Sequence, residues 1–167
     1  QHAVPTNSVT PQIGTTTFYC ERTLKQLNQI HQSWRSALHS NDQTATPSIQ
    51  WPEKYDLIGV QVSKVDYDVA IDCMMQAAKQ SSSGIVACHA VHAIVTASCD
   101  PDLRQQVNEF SMITPDGQPV RWGLNLLHRT GLSDRVYGPE LTRRVCHAAA
   151  KEGVSIYLYG GTPEILD

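Results

Sequence analysis

From Tyr55 onward the chain switches repeatedly between a strand-like and a helix-like hydrophobic period, and that alternation limits it to folds that layer helices on strands. "YDLIGVQVSKV" is rich in β-branched residues and reads as one or two short strands. "DYDVAIDCMMQAAKQSSSG" follows as a helix, with Asp66 or Asp68 near its start, apolar Val69, Ile71, Met74, Met75 and Ala78, and Gly84 after its end. A short buried strand at Ile85–Cys88 precedes a helix from about Ala90 to Ser98, and Asp100-Pro101 opens a further helical turn. "SMITP" reads as another strand, "GQPVRWGLNLLHRTG" as a helix closed by Gly131, and "GPELTRRVCHAAAKEG" as a helix capped at Gly153. "VSIYLYGG" has the clearest strand pattern of all. This order predicts an α/β domain with a mostly parallel sheet flanked by helices.

The first third has a different character. Residues 1–17, "QHAVPTNSVTPQIGTTT", lack periodicity and read as a flexible arm. Between Cys20 and His39, Leu24, Leu27, Ile30, Trp34 and Leu38 recur every three or four residues, which predicts one apolar helical face. "SNDQTATPSIQWPE", broken by Pro47 and Pro52, reads as a linker. The division is therefore an N-terminal arm, helix and linker over 1–53 and an α/β region over 54–167. The chain opens on Gln1 and ends just after Thr162 and Pro163 begin a helix, so it is expected to be a piece of a longer protein, truncated at the C-terminus.

With 167 residues, 41% of them hydrophobic and 17% charged, the chain suits one globular domain with a core. A formal net charge of −3 offers no general attraction for polyanions, so no nucleic-acid partner is expected. No apolar run approaches the roughly 18 residues of a spanning helix. Five cysteines, Cys20, Cys73, Cys88, Cys99 and Cys146, lack the close paired spacing of a disulfide framework or zinc ribbon, which favours a reducing cytoplasm.

In parallel α/β sheets ligands collect at the carboxyl ends of the strands, where loop amides and helix N-termini converge. "VACHAVH", "ITPDGQPV" and "LYGGTPE" meet that description. Asp116 could serve there as a general base; equally it could cap the helix that starts near Gln118, with Pro115 and Gly117 shaping the turn, and composition alone favours the cap. Gly160 and Gly161 suit close approach of an anion to backbone amides, or simply a turn that needs positive φ. Cys88, His89 and His92 fall within one turn, but with no fourth ligand at a recognisable spacing a metal site ranks below packed or substrate-facing histidines. Arg135 precedes a helix starting at about Pro139, where it could neutralise a diphosphate leaving group or form a surface ion pair with Asp134 or Glu140.

Taken in order, "DPDLRQQVNEFSMITPDGQPVRWGLNLL" and "DRVYGPELTRRVCHAAAKEGVSIYLYGGTPEIL" resemble the bacterial WecG/TagA/CpsF family, family 26 of the glycosyltransferases. The resemblance runs from about Tyr55 to the last residue and rests on the series D-P-x-L-R, P-D-G-x-P-V-x-W, R-V-x-G-P and Y-L-Y-G-G. It implies a Rossmann-like domain that moves a hexosamine-type sugar from a UDP-sugar to a polyprenyl-diphosphate-linked saccharide. Inversion at the anomeric carbon and no dependence on a metal or other cofactor are implied with it. By the same resemblance Asp116 is the base and Arg135 contacts the diphosphate. Cys88, His89, His92, Gln118, Gly138, Gly160 and Gly161 complete the expected substrate-binding set.

Two departures stand out. Where many members carry T-x-N at the end of the second strand, this chain has Cys88 and Ala90 about His89, so His89 or His92 is expected to assume part of the acceptor-binding role. The family also continues into a second sheet half and a basic C-terminal segment that meets the inner face of the cytoplasmic membrane. A chain without them is expected to transfer sugar poorly, and a homo-oligomer is one possible assembly. The competing readings are a nucleotide-binding α/β module, which would want the acidic residue that follows a G-x-G-x-x-G turn, and a non-catalytic transferase-like subunit.

Overall fold

The computed structural model describes residues 16–19 and 49–158. The predicted helix over 20–39, the linker to residue 48 and the glycine pair Gly160–Gly161 lie outside the described residues. Within them the architecture is mixed α/β, as the alternating pattern requires. Strand β1 (Thr16–Tyr19) is followed by a hairpin of β2 (Lys54–Leu57) and β3 (Val60–Ser63), helix α1 (Tyr67–Lys79) and strand β4 (Gly84–His89). Helices α2 (Val91–Cys99) and α3 (Pro101–Asn108), strand β5 (Met112–Pro115), and helices α4 (Gln118–His128) and α5 (Gly138–Glu152) complete the order.

β4 is the centre of a three-stranded sheet ordered β1-β4-β5. Both its pairings are parallel, Thr16 to Tyr19 against Gly84 to Ala87 and Val86 to His89 against Met112 to Pro115. Successive residues therefore face opposite sides. Val86 and Met112 join a cluster with Ala70 and Met74 of α1 and Leu141 and Val145 of α5. Ala87 and Ile113 join a second cluster with Ile94 and Ala97 of α2, Val107 of α3, Val120 and Leu124 of α4, and Leu57, Val60 and Val62 of the hairpin. Helices thus flank the parallel strands on both faces.

Local signals account for the boundaries. The run 55–65 is an antiparallel hairpin whose turn residues, Ile58 and Gly59, both have positive φ (52° and 91°), the primed geometry that matches strand twist. Of the two candidate caps of α1, Asp66 is the one used, accepting from the Val69 amide at 2.9 Å. Asp100 caps α3 through the amides of Asp102 and Leu103, both at 3.0 Å, with Pro101 in its first turn.

Three expectations need correction. Thr16 and Thr17, read as the end of an arm, open strand β1; "TTFY" is β-branched and aromatic, and the edge of β4 offers it unpaired backbone groups. Val154–Leu158, the clearest strand by pattern, has no regular structure, and Tyr157 and Leu158 are exposed. Alternation supplies propensity but no ladder partner, and the neighbouring place beside β4 is held by β1. Gly84 does follow the end of α1 at Lys79, as expected, and is the first residue of β4, under the Trp51 ring. Helix α4 is closed by Arg129, left-handed at φ 53°, two residues before Gly131.

The hairpin is tied to the sheet by Ser63, which is fully buried and accepts the Ile113 amide at 3.1 Å. Ser63→Ala leaves that amide without a partner and is expected to cost about 1–3 kcal/mol. Urea denaturation monitored by circular dichroism checks this; a loss below about 0.5 kcal/mol would show that the amide finds another acceptor.

Candidate functional site

The carboxyl ends of β4 and β5 converge on Asp116. Its amide donates to the carbonyl of His89 at 3.2 Å, which fixes its backbone at the sheet edge. Gly117, at φ 111°, is the N-cap of α4 and offers no side chain to it. The carboxylate does not cap α4 either. Instead Oδ2 of the half-buried Asp116 accepts the Gly138 amide at 3.2 Å, from the first residue of α5. The cap alternative for Asp116 is therefore set aside: the side chain crosses to a different helix.

At Gly138 a side chain would fit only tightly. A Cβ at position 138 would stand 3.3 Å from Cys88 Cβ, 3.4 Å from Asp116 Oδ2 and 3.5 Å from Cys88 Sγ. Asp116, Cys88 and Gly138 therefore share one small volume at the strand ends.

Arg135 enters through the loop that joins α4 to α5. The Val136 amide donates to the carbonyl of Pro115 at 3.0 Å, which lays the loop along the end of β5. The other side of the loop is pinned by polar side chains of α4 at positions 118, 121 and 125, spaced to share a face. Gln118 Nε2 donates to Asp134 Oδ1 at 2.9 Å, and an Arg121 Nη donates to the carbonyls of Leu132 (3.2 Å) and Ser133 (2.6 Å). Asn125 donates to the Leu132 carbonyl and accepts from the Thr130 hydroxyl and the Leu132 amide. Sequence reasoning singled out Gln118 only as a substrate contact and missed Arg121 and Asn125, although their spacing on one helix face was the available signal.

Of the two ion-pair partners considered for Arg135, Asp134 feels its charge and Glu140 is engaged by Arg143 and Arg144. The backbone amide of Arg135 bonds Asp134 at 2.7 Å, and its guanidinium lies over the Tyr137 ring, 4.7 Å from the centroid. Asp134 is held below the usual carboxylate range, first by that amide and then by Gln118. Glu140 is taken by Arg143 and Arg144, whose hydrogen bonds pull its carboxyl down to about 2.

The two histidines separate. His92 is exposed in the first turn of α2, whereas His89 is 5% exposed and meets Phe110 edge-on at 6.3 Å. Cys88 packs toward the opposite cluster. "CHAVH" therefore does not converge on one point, and the described residues hold no group of three or more His, Cys, Asp or Glu that could bind a metal ion. His89 belongs to the core beneath the site rather than to its rim. Burial, and secondarily the charge of His92, lower its pKa to about 4.

A family model for the WecG/TagA/CpsF glycosyltransferases matches residues 55–167, from β2 through the carboxylate edge to the last residue. The chain belongs to that family. The matched span contains every residue of the arrangement just described. Membership makes this a glycosyltransferase-type protein of cell-surface polysaccharide synthesis. No helix among the described residues of this transferase is long and apolar enough to cross a membrane.

The buried His89 makes a pH prediction. Its folded pKa lies below its unfolded value of about 6.5, so the unfolded chain binds the extra proton and stability falls as pH drops from about 6.5 to about 4. Over that window the loss from this residue is about 3 kcal/mol. Urea midpoints measured across this range should drop steeply in the native chain and less in His89→Phe. Parallel curves for the two would remove His89 as the cause.

Proposed function

We propose that this transferase moves a hexosamine-type sugar from a UDP-sugar onto a polyprenyl-diphosphate-linked saccharide, with inversion, and that Asp116 is the general base. The observation that carries the reading is the Asp116 carboxylate itself. It stands half-buried at the carboxyl edge of parallel strands, is not the cap of α4, and has one oxygen held by the first amide of α5. Family membership supplies the reaction class.

On this reading the acceptor hydroxyl comes within about 2.6–3.2 Å of the carboxylate and gives up its proton as its oxygen attacks the anomeric carbon. The bond from that carbon to the UDP oxygen breaks on the opposite face, and UDP departs with the electron pair. Arg135 leaves its stacked position over Tyr137 to neutralise the diphosphate, a role for which a planar fork of donors is suited. Gly138, Gly160 and Gly161 offer close backbone approach to the nucleotide, Gln118 holds the loop that carries Arg135, and Cys88 and His92 lie at the acceptor side. No step calls on a metal. The enzyme works at the inner face of the cytoplasmic membrane, where the lipid-linked acceptor lies.

The test uses the full-length protein with a panel of UDP-sugars and a short polyprenyl-diphosphate saccharide. Asp116→Asn should lower kcat by about 10²–10⁴-fold while UDP affinity stays within about twofold. Unchanged turnover in that variant would refute the base assignment. Binding of NAD in place of UDP would instead favour a dinucleotide module.

A further inference from the structure

The N-terminus of α5 brings its backbone amides to bear on the site without any side-chain cap of its own. Early amides of a helix have no partner within it and must find one elsewhere. Here the Gly138 amide goes to Asp116 Oδ2 at 3.2 Å and the amide of Tyr137, the N-cap residue, goes to the phenolic oxygen of Tyr67 at 2.9 Å. Residue 139 is a proline and has no amide to give. Tyr67 therefore takes the amide next to the one on which Asp116 rests.

Tyr67 is in turn fixed from behind. It is the first residue of α1, directly after the cap Asp66, and it packs partly buried against the cluster between α1 and α5. The guanidinium of Arg144 lies over its ring at 4.2 Å from the centroid, and Arg144 Nε is anchored to Glu140 Oε1 at 2.6 Å. Arg143 holds the same carboxylate through two bonds of 2.9 and 2.8 Å. The phenol is thus clamped between a helix start on one side and an ion-pair cluster on the other.

We propose that Tyr67 is a positioning residue of the transfer reaction, holding the first turn of α5 so that the Gly138 amide stays on Asp116 and the Arg135 loop stays beside it. The proposal rests on Asp116 being the base. Tyr67 touches neither sugar nor nucleotide; it acts through the backbone of residues 137 and 138. Because reaction rates fall steeply when a catalytic group is displaced by even about 1 Å, releasing this amide acts on turnover more than on substrate binding.

The test compares the full-length native enzyme with Tyr67→Phe, Asp116→Asn and the double variant. Tyr67→Phe keeps the ring, its packing and the Arg144 contact and removes only the acceptor oxygen. The expected result is a kcat about tenfold lower, a KM for the UDP-sugar within twofold, and Gly138 amide hydrogen exchange at least about tenfold faster. In the Asp116→Asn background the same change should cost less than twofold. Unaltered kcat or unaltered Gly138 exchange in Tyr67→Phe overturns the proposal, as does an equal kcat loss in both backgrounds, which marks a general structural effect. If Asp116→Asn itself turns over normally, the base assignment falls and this proposal falls with it. A severely impaired Asp116→Asn beside an unaffected Tyr67→Phe removes Tyr67 alone.

Discussion

A single turn conformation directs the chemistry of this edge. Only Asp116 and Gly117 separate β5 from α4, and Gly117 sits at φ 111°, where a residue with a side chain is strained. Space is not the reason: a Cβ there would meet its nearest neighbour at 3.9 Å. The backbone angle places glycine at the N-cap, which removes the carboxylate one residue upstream from any capping role in its own helix. Asp116 must then find its donor across the sheet edge, and the start of α5 supplies it. The Gly138 contact follows from where that carboxylate is sent.

The loop that completes the site is held by hydrogen bonds more than by apolar packing. Between Arg129 and Tyr137 the side chains of Val136 and Thr130 are buried, with Leu132 partly so, while Arg121 and Asn125 of α4 satisfy carbonyls and an amide of the loop and Gln118 holds the Asp134 side chain. Buried or half-buried backbone groups need such partners, and one helix face provides several at once. That arrangement explains why α4 is amphipathic in an unusual sense. One side, Val120 and Leu124, enters the core; a second, Gln118, Arg121 and Asn125, holds the loop; and Trp122, Leu126 and Leu127 remain exposed.

Much of this was legible in the sequence, for identifiable reasons. Helix positions followed from hydrophobic period and from caps such as Asp66, Asp100 and Gly153, which act within a few residues of where they stand. Asp116 and Gly138 were singled out together because the ordered motifs contain both, although their mutual contact is a tertiary fact. What failed was non-local. Val154–Leu158 has strand propensity, but a strand also needs a neighbour, and sequence pattern did not foretell that Thr16–Tyr19 takes the place beside β4. The phenol of Tyr67 was likewise invisible, lying 70 residues from the amide it accepts.

The altered segment Cys88 to Ala90 shows how a change in residue type propagates through strand geometry. Alternation along β4 sends Cys88 toward Gly138 and Asp116 but turns His89 to the other face, against Phe110. A histidine at that position therefore cannot stand in directly for a polar residue on the facing side. With its pKa lowered to about 4 it is also neutral at ordinary pH, so it carries no charge to the edge above it. At position 90 an alanine caps α2 without a side-chain hydrogen bond, leaving the first amides of that helix to other partners. Beside Asp116 the segment thus contributes a thiol, a weak donor, and a helix start without a side-chain cap. His92, in the first turn of α2, is exposed.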